Sequence, residues 1–423
     1  MPQISENRYE HKYFRLAVGI GLVSILLGVF FNFDPSNDVA HLYARQVRLI
    51  ASGEVDRGLF LFPPPLVVLI ASGFAVVGLS AFSALKLVCG LFFVAGLWPL
   101  SWITRRVVGA RFVPWTALLY IACPRILRYA TMGTTDTAKM FLLLSVMALL
   151  FALHDKPRWK TTFWLAVATA GLVLTRGESV FFIPPILFGV GWCAWRAIRR
   201  ERGRVGLLCG TGKAIGHGAL FAGAVAVLLL PQILRIQRYT GFPALDSRQV
   251  MRFGEVDEGG RGDKVDVIDK VDRGDEVVSS PAPSLAPVQI LPPIREEDRV
   301  TVWRNVRETI KGLHPFMLVF AFVGLAVKLR RRQWSWHDLA FASVIGFNIF
   351  LFACNGFITK RYIASTMPFL LPWTVIGLAA IKDHWLDRLA PKVFPVLAVL
   401  FVVVGVWDGL SDVRPSWDFE PEE

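Results

Sequence analysis

Twelve predominantly apolar stretches follow one another along the chain, near 14–31, 64–82, 84–103, 112–130, 138–154, 161–175, 178–195, 213–235, 314–329, 338–357, 362–381 and 392–409. A helix that crosses a bilayer needs about 20 such residues, and only helices and closed barrels satisfy their backbone inside lipid. Stretches of this length and composition read as helices, so the expected fold is all-α and polytopic. Composition agrees: only 19% of the 423 residues are charged and 54% are hydrophobic, whereas a soluble domain carries about a quarter charged residues. A soluble enzyme and a disordered chain are both excluded.

The distribution of charge tests how many stretches span. Cytoplasmic loops carry an excess of Lys and Arg. If all twelve span, the basic turn Arg105, Arg106, Arg111 and the run Arg196, Arg199, Arg200, Arg202, Arg204 both fall outside. If 64–82 stays in the outer interface, the N-terminus, 104–111, 155–160, 196–213, 328–338 and 382–392 all fall inside. Those segments hold 22 Lys and Arg against 7 Asp and Glu, and the remainder holds 24 against 26. The formal charge of +13 therefore reports topology, not a nucleic-acid partner. Segment 64–82 has its own reason not to cross, since Pro63-Pro64-Pro65 prevents a regular helical approach. About eleven spans and one outer juxtamembrane element are expected. The basic residues before 14–31, with no small-residue cleavage site after it, make that segment an uncleaved anchor with a cytoplasmic N-terminus.

Three regions follow: an N-terminal transmembrane module over 1–235 with a first outer loop at 32–83, a long outer loop at 236–313, and C-terminal helices with a short acidic tail over 314–423. In the first loop, Val39, Leu42, Tyr43, Val47, Leu49 and Ile50 recur near helical spacing and predict a helix lying on the membrane. The stretch 254–299, rich in Gly, Asp, Pro and Ser, predicts weak order. Trp303, Val306, Ile310 and Leu313 predict a second interfacial helix. Cys89, Cys123, Cys193, Cys209 and Cys354 lack both metal spacing and a disulfide pattern.

On this topology several ionisable residues share the outer side: Asp34 and Asp38, Arg125, Arg128 and Asp136, Arg176 and Glu178, and Lys360-Arg361-Tyr362. Each has a structural reading beside a functional one. Asp34 suits a turn, and Asp38 suits a helix N-cap. His41, one turn after Asp38, suits a hydrogen-bonding partner. Asp136 suits the N-cap of the next span, Arg176 and Glu178 suit a mutual pair, and Lys360 and Arg361 suit snorkelling anchors. Together they suit a lipid phosphate, whose oxygens match the Arg donor fork, beside carboxylates able to take a proton from a hydroxyl or hold a divalent cation.

The order of these features resembles the GT-C-fold integral-membrane glycosyltransferases, in particular the bacterial relatives of protein O-mannosyltransferases and of the lipid A aminoarabinose transferase. The residues that carry the resemblance are Asp38-Val-Ala-His-Leu-Tyr43 with Ala51-Ser-Gly53, then Pro64-Pro65-Leu66. Further along come Cys123-Pro124-Arg125 with Arg128 and Thr134-Thr-Asp136, then Leu174-Thr175-Arg176-Gly177-Glu178, and Arg361-Tyr362 before Met367-Pro368. The resemblance implies transfer of a sugar from a polyprenyl-phosphate carrier to a glycan, lipid or protein acceptor on the periplasmic side of the inner membrane. It makes Asp38 the general base or first-loop acid and Asp136 the second-loop acid. Arg128, Arg176, Lys360 and Arg361 would face phosphate, with Asp34, His41, Glu178 and Tyr362 as further substrate contacts. No cofactor is called for, and a divalent cation is the one addition the acids could take. The chain departs from the pattern in two places: Val39 stands where a second loop acid is common, and Arg176 where Lys is common. The rival reading is a lipid-carrier flippase that breaks no bond; the lack of an internal repeat speaks against it.

Overall fold

The computed structural model describes residues 2–30, 39–60, 65–202, 207–240, 315–354 and 363–381, with isolated positions 307, 310, 311 and 313. The expected stretch 254–299, most of the expected interfacial helix near 303–313 and the last apolar segment, 392–409, lie outside these residues. Every described element is helical, and no strand occurs among the described residues.

The helices are α1 (Pro2–Phe30), α2 (Ala44–Ala51, preceded by a π-helical turn at Val39–Tyr43), α3 (Val55–Phe60), α4 (Leu66–Val76), α5 (Ala81–Ala95) and α6 (Leu97–Val107). They continue as α7 (Val113–Ile121), α8 (Pro124–Thr131), α9 (Asp136–Asp155) and α10 (Trp159–Thr175). The last five are α11 (Ile183–Arg202), α12 (Leu207–Thr240), α13 (Pro315–Arg330), α14 (Trp336–Cys354) and α15 (Met367–Ile381). Among the described residues, five stretches are long and apolar enough to cross a membrane: Lys12–Val29, Ala81–Val107, Asp136–Asp155, Gly177–Arg196 and Thr211–Arg238. The chain is a polytopic all-α membrane protein.

The structure differs from the apolar pattern in instructive places. Stretch 112–130 is not one helix. Pro124 opens α8 and holds Cys123 in extended backbone (φ −71°, ψ 108°), because a proline pushes the residue before it out of the helical region. Two short helices, α7 and α8, result. Stretch 84–103 is likewise divided at Gly96 into α5 and α6, with Pro99 removing a donor from the first turn of α6. Segment 64–82 yields α4, whose 11 residues reach about 16 Å at 1.5 Å per residue, roughly half the hydrocarbon core.

The helices gather into two compact units, Met1–Ser36 with Leu85–Pro157 and Arg295–Glu423, and Asn37–Ala84 with Arg158–Ile294. In the first unit α9 is the buried axis, packed on α6 and α8, with α15 against α6, α7 and α9. Helices α13 and α15 touch backbone to backbone. A methyl on Gly324 would overlap the Trp373 carbonyl, and one on Gly377 the Phe320 carbonyl, the small-residue contact by which helices associate in lipid.

This unit is locked at one end by a buried ion pair. Lys328 Nζ donates to Asp338 Oδ1 and Oδ2 at 2.6 and 2.7 Å and to the Val107 carbonyl at 3.2 Å. Asp338 also accepts Trp373 Nε1 at 2.8 Å and the Ser335 amide and hydroxyl at 2.9 and 2.7 Å. A charge taken out of water persists only when its lone pairs are filled in this way. In the second unit α12 packs on α10 and α11, and α2 on α3 and α4. Thr162 Oγ1 and His217 Nδ1 share a 2.6 Å hydrogen bond between α10 and α12, which satisfies a buried histidine.

Candidate functional site

The first unit presents a buried polar turn between α8 and α9. Helix α8 ends in a Schellman motif: the Thr134 amide bonds the Tyr129 carbonyl at 3.2 Å and the Gly133 amide the Ala130 carbonyl at 3.4 Å. Gly133 takes φ +71°, a left-handed conformation that glycine adopts without steric cost. A Cβ there would come within 3.3 Å of the Lys86 amide, so the turn lies directly on α5. Beyond it, Thr134, Thr135, Asp136, Thr137 and Lys139 are all buried.

Asp136 is the first residue of α9 and Thr135 its N-cap. The capping role considered for Asp136 thus falls to Thr135, which makes no side-chain cap bond. Asp136 sits at the positive end of the helix dipole, where a carboxylate is stabilised. Lys139, three residues on, lies on the same face, and both are 0% exposed. A carboxylate and an ammonium with no access to water belong to a functional or strictly paired site. Lys139 was not among the residues singled out from sequence, although an ionisable residue inside an apolar helix is the ordinary signal for one. Arg128 is half-buried on the last turn of α8. Arg125, on its first turn, donates through Nη1 to the Lys311 carbonyl, and so anchors the chain before α13.

The second unit holds the other described candidates. Arg176 breaks α10 by adopting extended backbone (φ −151°, ψ 117°). Its side chain is buried, and its Nε donates to Glu178 Oε1 at 2.5 Å. The intervening Gly177 begins a 3-10 segment, Gly177–Phe182, that leads into α11. Ser179 in that segment is 0% exposed, and its hydroxyl has no hydrogen-bond partner among the described residues. The predicted first-loop helix is present as the π-helical turn and α2, with Val39, Tyr43, Ala44, Gln46 and Val47 buried and Arg48 exposed. His41 lies in the π-helical turn, but its side chain is outside the described set. So are Asp34, Asp38, Lys360, Arg361 and Tyr362. The structure thus joins Arg176 with Glu178 in one unit and sets Asp136 beside Lys139 in the other.

No protein-family model matches the sequence, and no curated protein is recognisably similar to it. Solved structures are more informative. The ArnT structure from Cupriavidus metallidurans bound to undecaprenyl phosphate superposes with a TM-score of 0.55 and 16% identity, over 92% of this chain and 62% of that one. The same protein in the apo state gives 0.54 at 16% identity, over 91% of this chain and 61% of that one. The oligosaccharyltransferase of Archaeoglobus fulgidus in complex with Zn and sulfate gives 0.55 at 13% identity, over 92% and 53%.

The chain has the GT-C fold.

It spans about six-tenths of the ArnT chain and about half of the oligosaccharyltransferase. In this GT-C chain the conserved element of the likeness is the helical arrangement, since at 13–16% identity side-chain roles do not transfer by position. The buried Asp136–Lys139 face and the Arg176–Glu178 pair rest on this chain's own geometry.

Proposed function

We propose that this GT-C chain is a membrane glycosyltransferase that moves a monosaccharide from a polyprenyl-phosphate carrier to an acceptor hydroxyl on the periplasmic face of the inner membrane. The observation that carries the reading is the likeness, over 92% of the chain, to a structure of ArnT bound to undecaprenyl phosphate. The charge asymmetry of the turns supports a cytoplasmic N-terminus and an outward-facing first loop.

In the reaction the acceptor oxygen attacks the anomeric carbon as the bond from that carbon to the phosphate oxygen breaks. The electron pair leaves with the polyprenyl phosphate, and the hydroxyl proton passes to the carboxylate of Asp38. A single in-line displacement inverts the anomeric centre. Arg128, Arg176, Lys360 and Arg361 bind phosphate and offset the charge that grows on it. For Arg176 this means exchanging Glu178, which accepts from its Nε, for a phosphate oxygen. Asp136, in the first turn of α9 where the helix dipole favours a carboxylate, serves as a positioning or metal-binding acid. Asp34, His41, Glu178 and Tyr362 are further substrate contacts in this reading.

The test is Asp38→Asn in purified, reconstituted protein. Removing a general base costs about 10²–10⁴-fold in rate, while insertion and thermal midpoint stay as in the wild type. Transfer at the wild-type rate would remove Asp38 from the role of base.

A further inference from the structure

Helix α9 has a second ionisable end. Asp136 opens it and His154 and Asp155 close it, about 28 Å away at 1.5 Å per residue. At that far end, His154 and Asp155 meet His337 from the first turn of α14, and one ligand atom from each lies within 4.8 Å of the others. From this geometry we infer that His154, Asp155 and His337 form a binding site for a divalent transition-metal ion of the zinc class, separate from the proposed transfer site.

The donor set is the first argument. Two imidazoles and a carboxylate are three of the four ligands of a tetrahedral zinc site that keeps one position for water. Nitrogen and oxygen ligands at about 2.0–2.2 Å from the ion stand about 3.3–3.5 Å apart. Closure from the observed spacing therefore needs a movement of about 1 Å. Asp155 is partly exposed and His337 half-buried, so both have room to make it.

Neighbouring side chains orient the ligands. Phe151 meets the His337 ring edge-on with centroids 4.5 Å apart, and Trp336 lies over the His154 ring at 4.7 Å. Arg106 pairs with Asp155 through Oδ2, leaving Oδ1 turned toward His154 Nδ1 at 3.5 Å. An outer partner that holds one oxygen of a ligating carboxylate is the usual support of a metal site. Arg106 is itself set over the Trp102 ring, 4.1 Å from its centroid.

Two further facts favour a cation. The site lies at the C-terminus of α9, the negative end of its dipole. His337 Nε2 is buried with no hydrogen-bond partner among the described residues, and a buried donor or acceptor left unpaired is costly unless something coordinates it. The nearby cations do not bar an ion, because Arg106 is paired with Asp155 and Lys328 with Asp338. By their charge, the turns that carry this site are cytoplasmic, so its ion would come from the side opposite the proposed transfer chemistry.

The probe is Zn²⁺ alone, titrated into metal-stripped, detergent-purified full-length protein with a competing chelator. Co²⁺ substitution reads the geometry through the intensity of its d–d bands. The expected result is one Zn²⁺ per chain, a tetrahedral Co²⁺ spectrum and a rise in the thermal midpoint on binding. In His337→Gln, and in His154→Gln with His337→Gln, affinity at that site should fall at least tenfold, about the scale of losing one ligand or its support. The rise in midpoint should vanish while the metal-free midpoint and any transfer activity remain. Absence of stoichiometric binding by the wild type overturns the site, as does unchanged stoichiometry and spectrum in the double variant. Should the double variant fail to fold, His337→Gln alone decides.

Discussion

Two ion pairs, one in each unit, show how differently a membrane chain can use buried charge. Lys328 and Asp338 are 5% and 0% exposed at their side chains, ten residues apart in sequence. They draw Val107, Ser335 and Trp373 into the same network. Every oxygen of the carboxylate is filled by protein, and the pair ties the ends of α6, α13 and α14 to the middle of α15. Arg176 and Glu178 are two residues apart, at 8% and 27% side-chain exposure, and the pair spans a single break between α10 and the segment that leads into α11. The first closes a junction of four helices and leaves nothing to spare for a ligand. The second joins neighbours along one loop, and its carboxylate keeps access to water.

Substitutions can break that contrast. Lys328→Met leaves Asp338 buried without its cation and should lower stability by about 3–5 kcal/mol, the cost of an uncompensated buried charge. It is read as the fall in thermal midpoint and in folded yield in detergent. Lys328→Met with Asp338→Leu should recover most of that loss, because an apolar pair of similar volume replaces a buried ion pair at little cost. A double variant as unstable as the single would mean the carboxylate's other partners carry the junction. Arg176→Ala should do the reverse. Its effect on stability should be smaller than that of Lys328→Met, because Glu178 keeps access to water, while transfer falls at least tenfold and Arg176→Lys restores part of it. A large drop in midpoint with Arg176→Ala would make the pair structural and erase the distinction.

The contrast also marks what could be read in advance. Pairs within one motif were visible: Arg176 with Glu178 in Leu174-Thr175-Arg176-Gly177-Glu178, and Asp136 after Thr134-Thr135. So was a break in the apolar stretch after Pro63-Pro64-Pro65, where the helix that follows, α4, has only 11 residues. The break at Cys123 was written in Pro124, yet hydropathy alone merged α7 and α8 into one stretch. Lys139 went unremarked because one charge in an apolar run of 138–154 barely lowers its mean hydropathy, while burial at 0% needs the packed bundle. The Lys328–Asp338–Trp373 junction and the His154–Asp155–His337 cluster were beyond reach, because their members are brought together only by how α9, α13, α14 and α15 pack.

The central claim, that this GT-C chain breaks and remakes a glycosidic bond, is tested most directly by the wild-type protein in proteoliposomes loaded with a radiolabelled polyprenyl-phosphate sugar. The account predicts that free polyprenyl phosphate accumulates in step with label appearing on an added acceptor, and that Asp38→Asn abolishes both. Movement of the intact carrier between leaflets with no cleavage would contradict it and make the chain a transporter.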